Sequence, residues 1–355
     1  MSSENYTDSV EITKYTEVKT VFYLLYGMIF FLGLFGNILV CYVVYSNKAM
    51  QTVTNLFITN LALSDILLCV LGIPFTSIYT LYEEWLFGQV ICHLVLYAQG
   101  TSVYVSTLTL TAIAVDRFFV ILYPLRQRMR LKTCLGILLG IWLFSMSITI
   151  PYGICVNYFT ENNVSFCEEN WTHSYSATAF SLFTLTLQFA IPFIVIAYCY
   201  LRISRRLNQR AKSKPGSKSA RREEADKEKK RRTNRMLIAM VAIFGICWFP
   251  LNVINLVNDF NKVEQHFHLF FLISYCMAVS STCYNPFLYA WLNENFRKEF
   301  KQVLPCAIPS NRYTNRDEHT LDTLLHSSVF TSPAKHLEPR EPIAERIPQT
   351  QEFNL

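Results

Sequence analysis

Seven long apolar runs constrain this chain more than any other feature. They cover residues 21–45, 56–82, 92–115, 133–156, 177–201, 236–257 and 267–292. A helix needs about 20 mostly apolar residues to cross the hydrocarbon core of a bilayer, and each run supplies them. A spanning strand would need only about 10 residues of alternating polarity, which these runs do not show. Peptide groups in lipid have to be bonded within their own segment, so the runs predict helices. Composition agrees, since only 16% of residues are charged against about 25% in a soluble domain. The length would allow two or three soluble domains, but the gathering of apolar residues into runs excludes them. Acidic residues rather than a basic stretch precede the first run, and it lacks a small-residue cleavage site, so it reads as an uncleaved first span and not a signal peptide. The expected fold is all-α: a seven-helix membrane bundle over residues 21–305. It includes a short amphipathic cytoplasmic helix after span seven, at 294–304. An outer tail (1–20) precedes the bundle, and a polar, proline-containing tail (306–355), expected to be disordered, follows it.

Loop charge sets the orientation. The segment after span three carries Arg126, Arg128, Arg130 and Lys132 with no acid, and the segment 202–235 is dominated by Lys and Arg. The positive-inside rule makes that side cytoplasmic, with the N-terminus outside. Three N-x-[ST] sequons, at Asn5, Asn163 and Asn170, all fall on the outer side, where glycosylation occurs. Cys92, at the outer end of span three, and Cys167, in the loop after span four, both face the oxidising side and are expected to form a disulfide. Cys306, past the amphipathic stretch, is either a palmitoylation site or a plain thiol.

Polar residues within spans are costly and usually functional. Asp65 is the only acid inside span two, and Asn37, Ser106, Ser281 and Asn285 lie at similar depth. A carboxylate among neutral oxygens is the donor set of a sodium site or of a closed hydrogen-bond network. Asp116-Arg117 closes the third run at its cytoplasmic end. Pro74, Pro151, Pro192, Pro250 and Pro286 sit mid-span, with Pro250 after Cys247-Trp248-Phe249 and Asn285-Pro286 before Tyr289. Proline kinks a helix and frees a carbonyl, and kinked helices carrying bulky aromatics suit a switch between two packings.

These residues form a set: Gly36-Asn37, Leu61-Ala62-Leu63-Ser64-Asp65, Asp116-Arg117-Phe118, Trp142, Pro192, Cys247-Trp248-Phe249-Pro250 and Asn285-Pro286-Phe287-Leu288-Tyr289. In order and one-per-span placement the set resembles the rhodopsin-like G-protein-coupled receptors, over residues 21–306. The resemblance implies that Arg117 engages a heterotrimeric G protein when span six swings outward. Tyr198 and Tyr289 would move in to support it, Trp248 would sense ligand, and Asp65, Ser106, Ser281 and Asn285 would hold sodium. Two positions depart from the family pattern. Phe118 stands where tyrosine is usual, and Lys230 stands where some relatives place an acid that pairs with the arginine. A narrower resemblance, to insect short neuropeptide F receptors, rests on Gln51-Thr52-Val53-Thr54-Asn55, Tyr97-Ala98-Gln99-Gly100, Cys167-Glu168-Glu169-Asn170-Trp171, Arg231-Arg232-Thr233-Asn234-Arg235-Met236 and Trp291-Leu292-Asn293-Glu294-Asn295-Phe296. Neuropeptide Y and prolactin-releasing peptide receptors belong to the wider group.

Pocket chemistry points the same way. Similar amine receptors carry an acid in the outer half of span three, where this chain has the neutral Gln99. A glutamine side chain complements a primary amide. The outer surface is acidic, with Glu168, Glu169 and Asp259 among its carboxylates, and it would draw a basic peptide and pair with arginine. The resemblance implies that Asp259 meets a ligand arginine and that Thr76, Tyr79, Gln99, Gln188 and Tyr275 line the pocket. On the inner side, the basic segment suits anionic lipid headgroups and a G protein rather than nucleic acid. Phosphorylation of the tail cluster Thr320, Thr323, Ser327, Ser328, Thr331 and Ser332 would add charge for arrestin to read. A transporter would show an internal repeat and an even helix count, and an enzyme would bring nucleophile, base and orienting group together. Neither pattern is present in the sequence.

Overall fold

The computed structural model describes residues 16–171, 173–212, 219–261 and 267–304. The expectations for Asn5, Cys306 and the tail serines and threonines fall outside these residues, as does Thr172 of the third sequon. Among the described residues, seven helices are long and apolar enough to cross a membrane: Thr16–Ser46, Val53–Tyr82, Gly88–Leu122, Leu131–Ile148, Tyr175–Arg206, Arg231–Phe260 and Phe267–Leu292. They are spans one to seven below. The amphipathic helix Glu294–Val303 follows, with Phe296 and Phe300 on its buried face, four residues apart as a helix requires.

Two boundaries that bear on the site differ from the sequence expectation. Span three continues to Leu122, so Asp116-Arg117 lies one turn inside its end rather than closing it. Span four stops at Ile148, and a short helix, Ile150–Ile154, opens at Pro151, where proline has no N–H to give. The chain then enters a β-hairpin, β1 Val156–Glu161 and β2 Val164–Glu169. Asn162 and Asn163, with φ of 51° and 67°, make its two-residue turn. Asparagine tolerates this left-handed backbone better than most residues. The disulfide Cys92–Cys167 fastens β2 to the top of span three.

Two proline-bearing spans widen into one π-helical turn, at Leu68–Gly72 just before Pro74 and at Thr186–Ala190 before Pro192. A widened turn absorbs the ring and the missing hydrogen bond without breaking the span. Pro250 and Pro286 instead sit inside continuous helix.

Polar cross-links join the spans, because lipid supplies no hydrophobic force between them. Asn60 on span two donates to Thr109 on span three at 2.8 Å and accepts from the Trp142 indole of span four at 2.8 Å. Asn37 on span one donates to the Thr282 carbonyl of span seven at 2.9 Å. Span one approaches span seven so closely that a Cβ on Gly36 would lie 2.8 Å from the Pro286 ring. Trp142→Phe should cost about 1 kcal/mol and lower the melting temperature of the detergent-solubilised protein by a few degrees. In an Asn60→Ala background the same change should cost much less. Equal costs in the two backgrounds would show that the indole acts by volume and not through this bond.

Candidate functional site

The outer half of the bundle holds a floor and a rim. Gln99 forms the floor. Its Nε2 donates to Thr76 Oγ1 of span two at 2.6 Å and to the buried Tyr275 hydroxyl of span seven at 2.9 Å. Gly72, in the π turn, makes room: a Cβ there would lie 3.1 Å from Gln99. With both amide hydrogens committed, the Gln99 carbonyl is the group left to accept from a ligand N–H. Tyr79 packs edge-on against Trp85 at 5.5 Å, within the cluster that surrounds the disulfide. Gln188 is buried inside the π turn of span five.

The rim is built from the hairpin, span five and span six. Asp259 accepts from the Ser181 hydroxyl at 2.5 Å, and its carbonyl accepts from Thr178 at 3.4 Å. On β2, Glu169 accepts from the Trp171 indole at 2.9 Å. Trp171 rests against Phe180 at 5.0 Å, and Phe180 against Tyr152 at 4.9 Å. This places an aromatic wall beside the carboxylates. Glu169 is exposed to solvent, yet crowding by protein strips part of its hydration and raises its carboxyl pKa above the ordinary value. The charge of Asp259 acts in the same direction, and the Trp171 bond opposes it. Glu168 is exposed on the same strand.

At mid-membrane, Asn285 donates to Asp65 Oδ2 at 3.0 Å. The other predicted neighbours of Asp65 bond elsewhere. Ser281 accepts from the Trp248 indole at 3.1 Å, and Ser106 shares a hydrogen with Ser64 at 2.8 Å. The Asn37 Oδ1 is buried without a partner among the described residues.

Toward the cytoplasm, Arg117 pairs with Asp116 at 2.5 Å and also donates to Thr54 on span two. Thr54 lies in the segment 51–55 singled out above, but nothing in that run marked it as a partner of Arg117. One expectation is corrected here. Tyr198 does not face inward: it is 56% exposed, and its ring lies 6.0 Å from that of Phe118. Tyr200 is the buried tyrosine, near Arg117. Residues two apart on a helix point about 200° apart, so only one of the two can face the core. The Tyr200 and Tyr289 hydroxyls are buried with no hydrogen-bond partner among the described residues, and the Tyr289 ring stacks on Phe296 at 5.3 Å. At the inner end of span six, Arg232 reaches Glu294 at 2.9 Å and the Trp291 carbonyl at 2.5 Å. It thereby ties span six to the junction of span seven and the amphipathic helix.

Comparison with known proteins adds to this geometry. Residues 36–289, more than half of the chain, match the 7 transmembrane receptor (rhodopsin family). The chain is 32% identical to neuropeptide receptor npr-1 of Caenorhabditis elegans, covering 97% of this chain and 86% of that protein. It is 35% identical to neuropeptide Y receptor type 2 of Homo sapiens, over 94% of this chain and 86% of that one. Its identity to the Mus musculus type 2 receptor is 36%, over 84% and 79%. The spans, their cross-links and these matches agree: this chain belongs to the rhodopsin family of seven-transmembrane receptors, a multi-pass protein of the plasma membrane and not an enzyme.

Proposed function

We propose that the chain is a G-protein-coupled receptor for an amidated, arginine-containing neuropeptide of the short neuropeptide F type. The observation that carries this reading is the pairing of a neutral, hydrogen-bonding floor at Gln99 with a carboxylate rim at Asp259 and Glu169. The Gln99 carbonyl accepts from the C-terminal amide, and the acids pair with the arginine. Similarity to receptors named for neuropeptide Y favours a second reading, a neuropeptide Y or long neuropeptide F peptide. A prolactin-releasing peptide type ligand belongs to the same group. Sodium suits the mid-membrane site as an allosteric ligand. Among the described residues one Asp65 oxygen accepts a bond, and Ser106, Ser281 and Asn285 bring neutral oxygens to its depth. Phosphorylation of the tail would recruit arrestin.

Ligand-dependent nucleotide exchange on a purified G protein tests the main reading. Asp259→Ala should weaken an arginine-containing short neuropeptide F peptide roughly tenfold or more, and its citrulline analogue far less. Equal losses would sink the pairing, and a free-acid peptide as potent as the amide would remove Gln99 from its role. A longer neuropeptide F form outperforming the short one would favour the second reading.

Proton linkage gives a further prediction. A bound guanidinium needs Glu169 charged, so affinity should fall as acidification carries this carboxyl through its raised pKa. The loss should therefore begin above the pH at which an ordinary glutamate protonates. Binding measured from about pH 7.5 to pH 5.5 should show it, and Glu169→Gln should flatten the profile. An unchanged profile in that variant assigns the pH effect elsewhere.

The inner contact of Arg232 restrains span six in place of the acid that Lys230 replaces. The pair lies at the surface, with Arg232 half-buried and Glu294 exposed, and is worth no more than about 1 kcal/mol, so Arg232→Gln should raise ligand-free exchange by at most about fivefold. Glu294→Gln should do nearly the same, and combining the two should add little. Additive effects would show that the two residues act separately.

A further inference from the structure

The cytoplasmic face carries a feature that neither peptide recognition nor the Arg117 contacts use. An open groove of about 650 Å³ lies between the end of span three, the turn that follows and the inner end of span five. It is lined by Phe119, Leu122, Tyr123, Pro124 and Leu125, with Arg126 and Arg206 at the same groove. The turn is held by Arg126 N–H donating to the Tyr123 carbonyl at 3.0 Å. The Arg126 guanidinium lies over the Phe119 ring, 4.9 Å from its centre. Among the described residues neither arginine has a carboxylate partner. No acid occurs in residues 117–160 or 170–222, and Asp116, the acid nearest Arg126 in sequence, is paired with Arg117. The groove opens onto the exposed surface, where Phe119 is 40% and Tyr123 53% exposed.

We propose that this groove binds an anionic phospholipid of the inner leaflet. The groove makes two demands together. Its apolar floor needs an acyl chain, and two uncompensated guanidiniums at the same edge need a phosphate. One lipid molecule satisfies both, and the cytoplasmic leaflet is where anionic lipids concentrate. A free phosphate would leave the apolar floor bare. A neutral phosphatidylcholine would bring its own cation against the arginines. The inference does not depend on which peptide the receptor binds.

Native mass spectrometry of the purified full-length receptor, titrated with phosphatidylinositol 4,5-bisphosphate or with phosphatidylcholine of the same chains, tests the proposal. The wild-type protein should retain the anionic lipid preferentially. Arg126→Gln with Arg206→Gln should weaken that retention by roughly tenfold or more. Arg128→Gln with Arg130→Gln removes the same charge from the same loop and should have little effect. Peptide binding should be intact in both. If the first pair fails to fold, Arg206→Gln alone carries the test, because that side chain is exposed on its helix. Equal losses in the two pairs would overturn the site in favour of diffuse charge. Inositol trisphosphate displacing the lipid at matched concentration would make it a bare phosphate site. Undiminished lipid retention with lost nucleotide exchange would make the groove a G-protein surface instead.

Discussion

A peptide group in hydrocarbon has no water to bond, so each span closes its own backbone bonds as a helix and offers its neighbours only side chains. What joins one helix to another is then close packing and a few polar side chains turned inward. Asn60 gathers spans two, three and four, Asn37 ties span one to span seven, and Asn285 meets Asp65 between spans seven and two. Tyr26 on span one donates to the Leu272 carbonyl at 2.9 Å on the outer side. Every polar group spent this way is one that lipid could not have satisfied. The cross-links therefore fix which face of each helix turns in, and with it the place of every functional residue.

The same links set floor, middle and inner face along one bundle. Tyr275, Ser281, Asn285 and Tyr289 all stand on span seven, where they meet Gln99, Trp248, Asp65 and Phe296 in turn. Span seven thus touches Gln99 of span three, the tryptophan of span six, the buried acid and the amphipathic helix. At its inner end two buried tyrosine hydroxyls, on Tyr200 and Tyr289, lack partners among the described residues. Both hydroxyls remain available to a new partner at the inner face. The ion pair of Arg117 with Asp116 and the reach of Arg232 to Glu294 lie at the same inner face. Both are bonds that a displaced span six or an arriving partner could exchange.

Much of the fold was legible because hydropathy and helix length are local properties. Seven spans, their orientation and the Cys92–Cys167 pairing follow from residues read along the chain. The amphipathic helix was equally plain, since Phe296 and Phe300 mark its face. The β-hairpin was not, because Asn162-Asn163 is a short turn inside a loop and strand pairing is a contact between segments. The π turns were missed for a related reason. Pro74 and Pro192 announce a disturbance, but whether a helix kinks or widens depends on what packs against it. Tyr198 and Tyr200 show the consequence: two tyrosines two residues apart are equivalent in composition, and only the helix rotation chooses between them.

The sequence by itself determined the class of molecule, its topology and the polar residues lipid would force inward, because each is a property of a segment and its solvent. Tertiary structure decided which of those residues meet. It brought Thr76 and Tyr275 to Gln99, Ser181 to Asp259, Trp171 to Glu169 and Thr54 to Arg117. It also sent Ser281 to Trp248 and Ser106 to Ser64, away from a direct bond with Asp65. The physical reason is that a hydrogen bond between helices needs depth, rotation and approach together. A single run of residues specifies only the first.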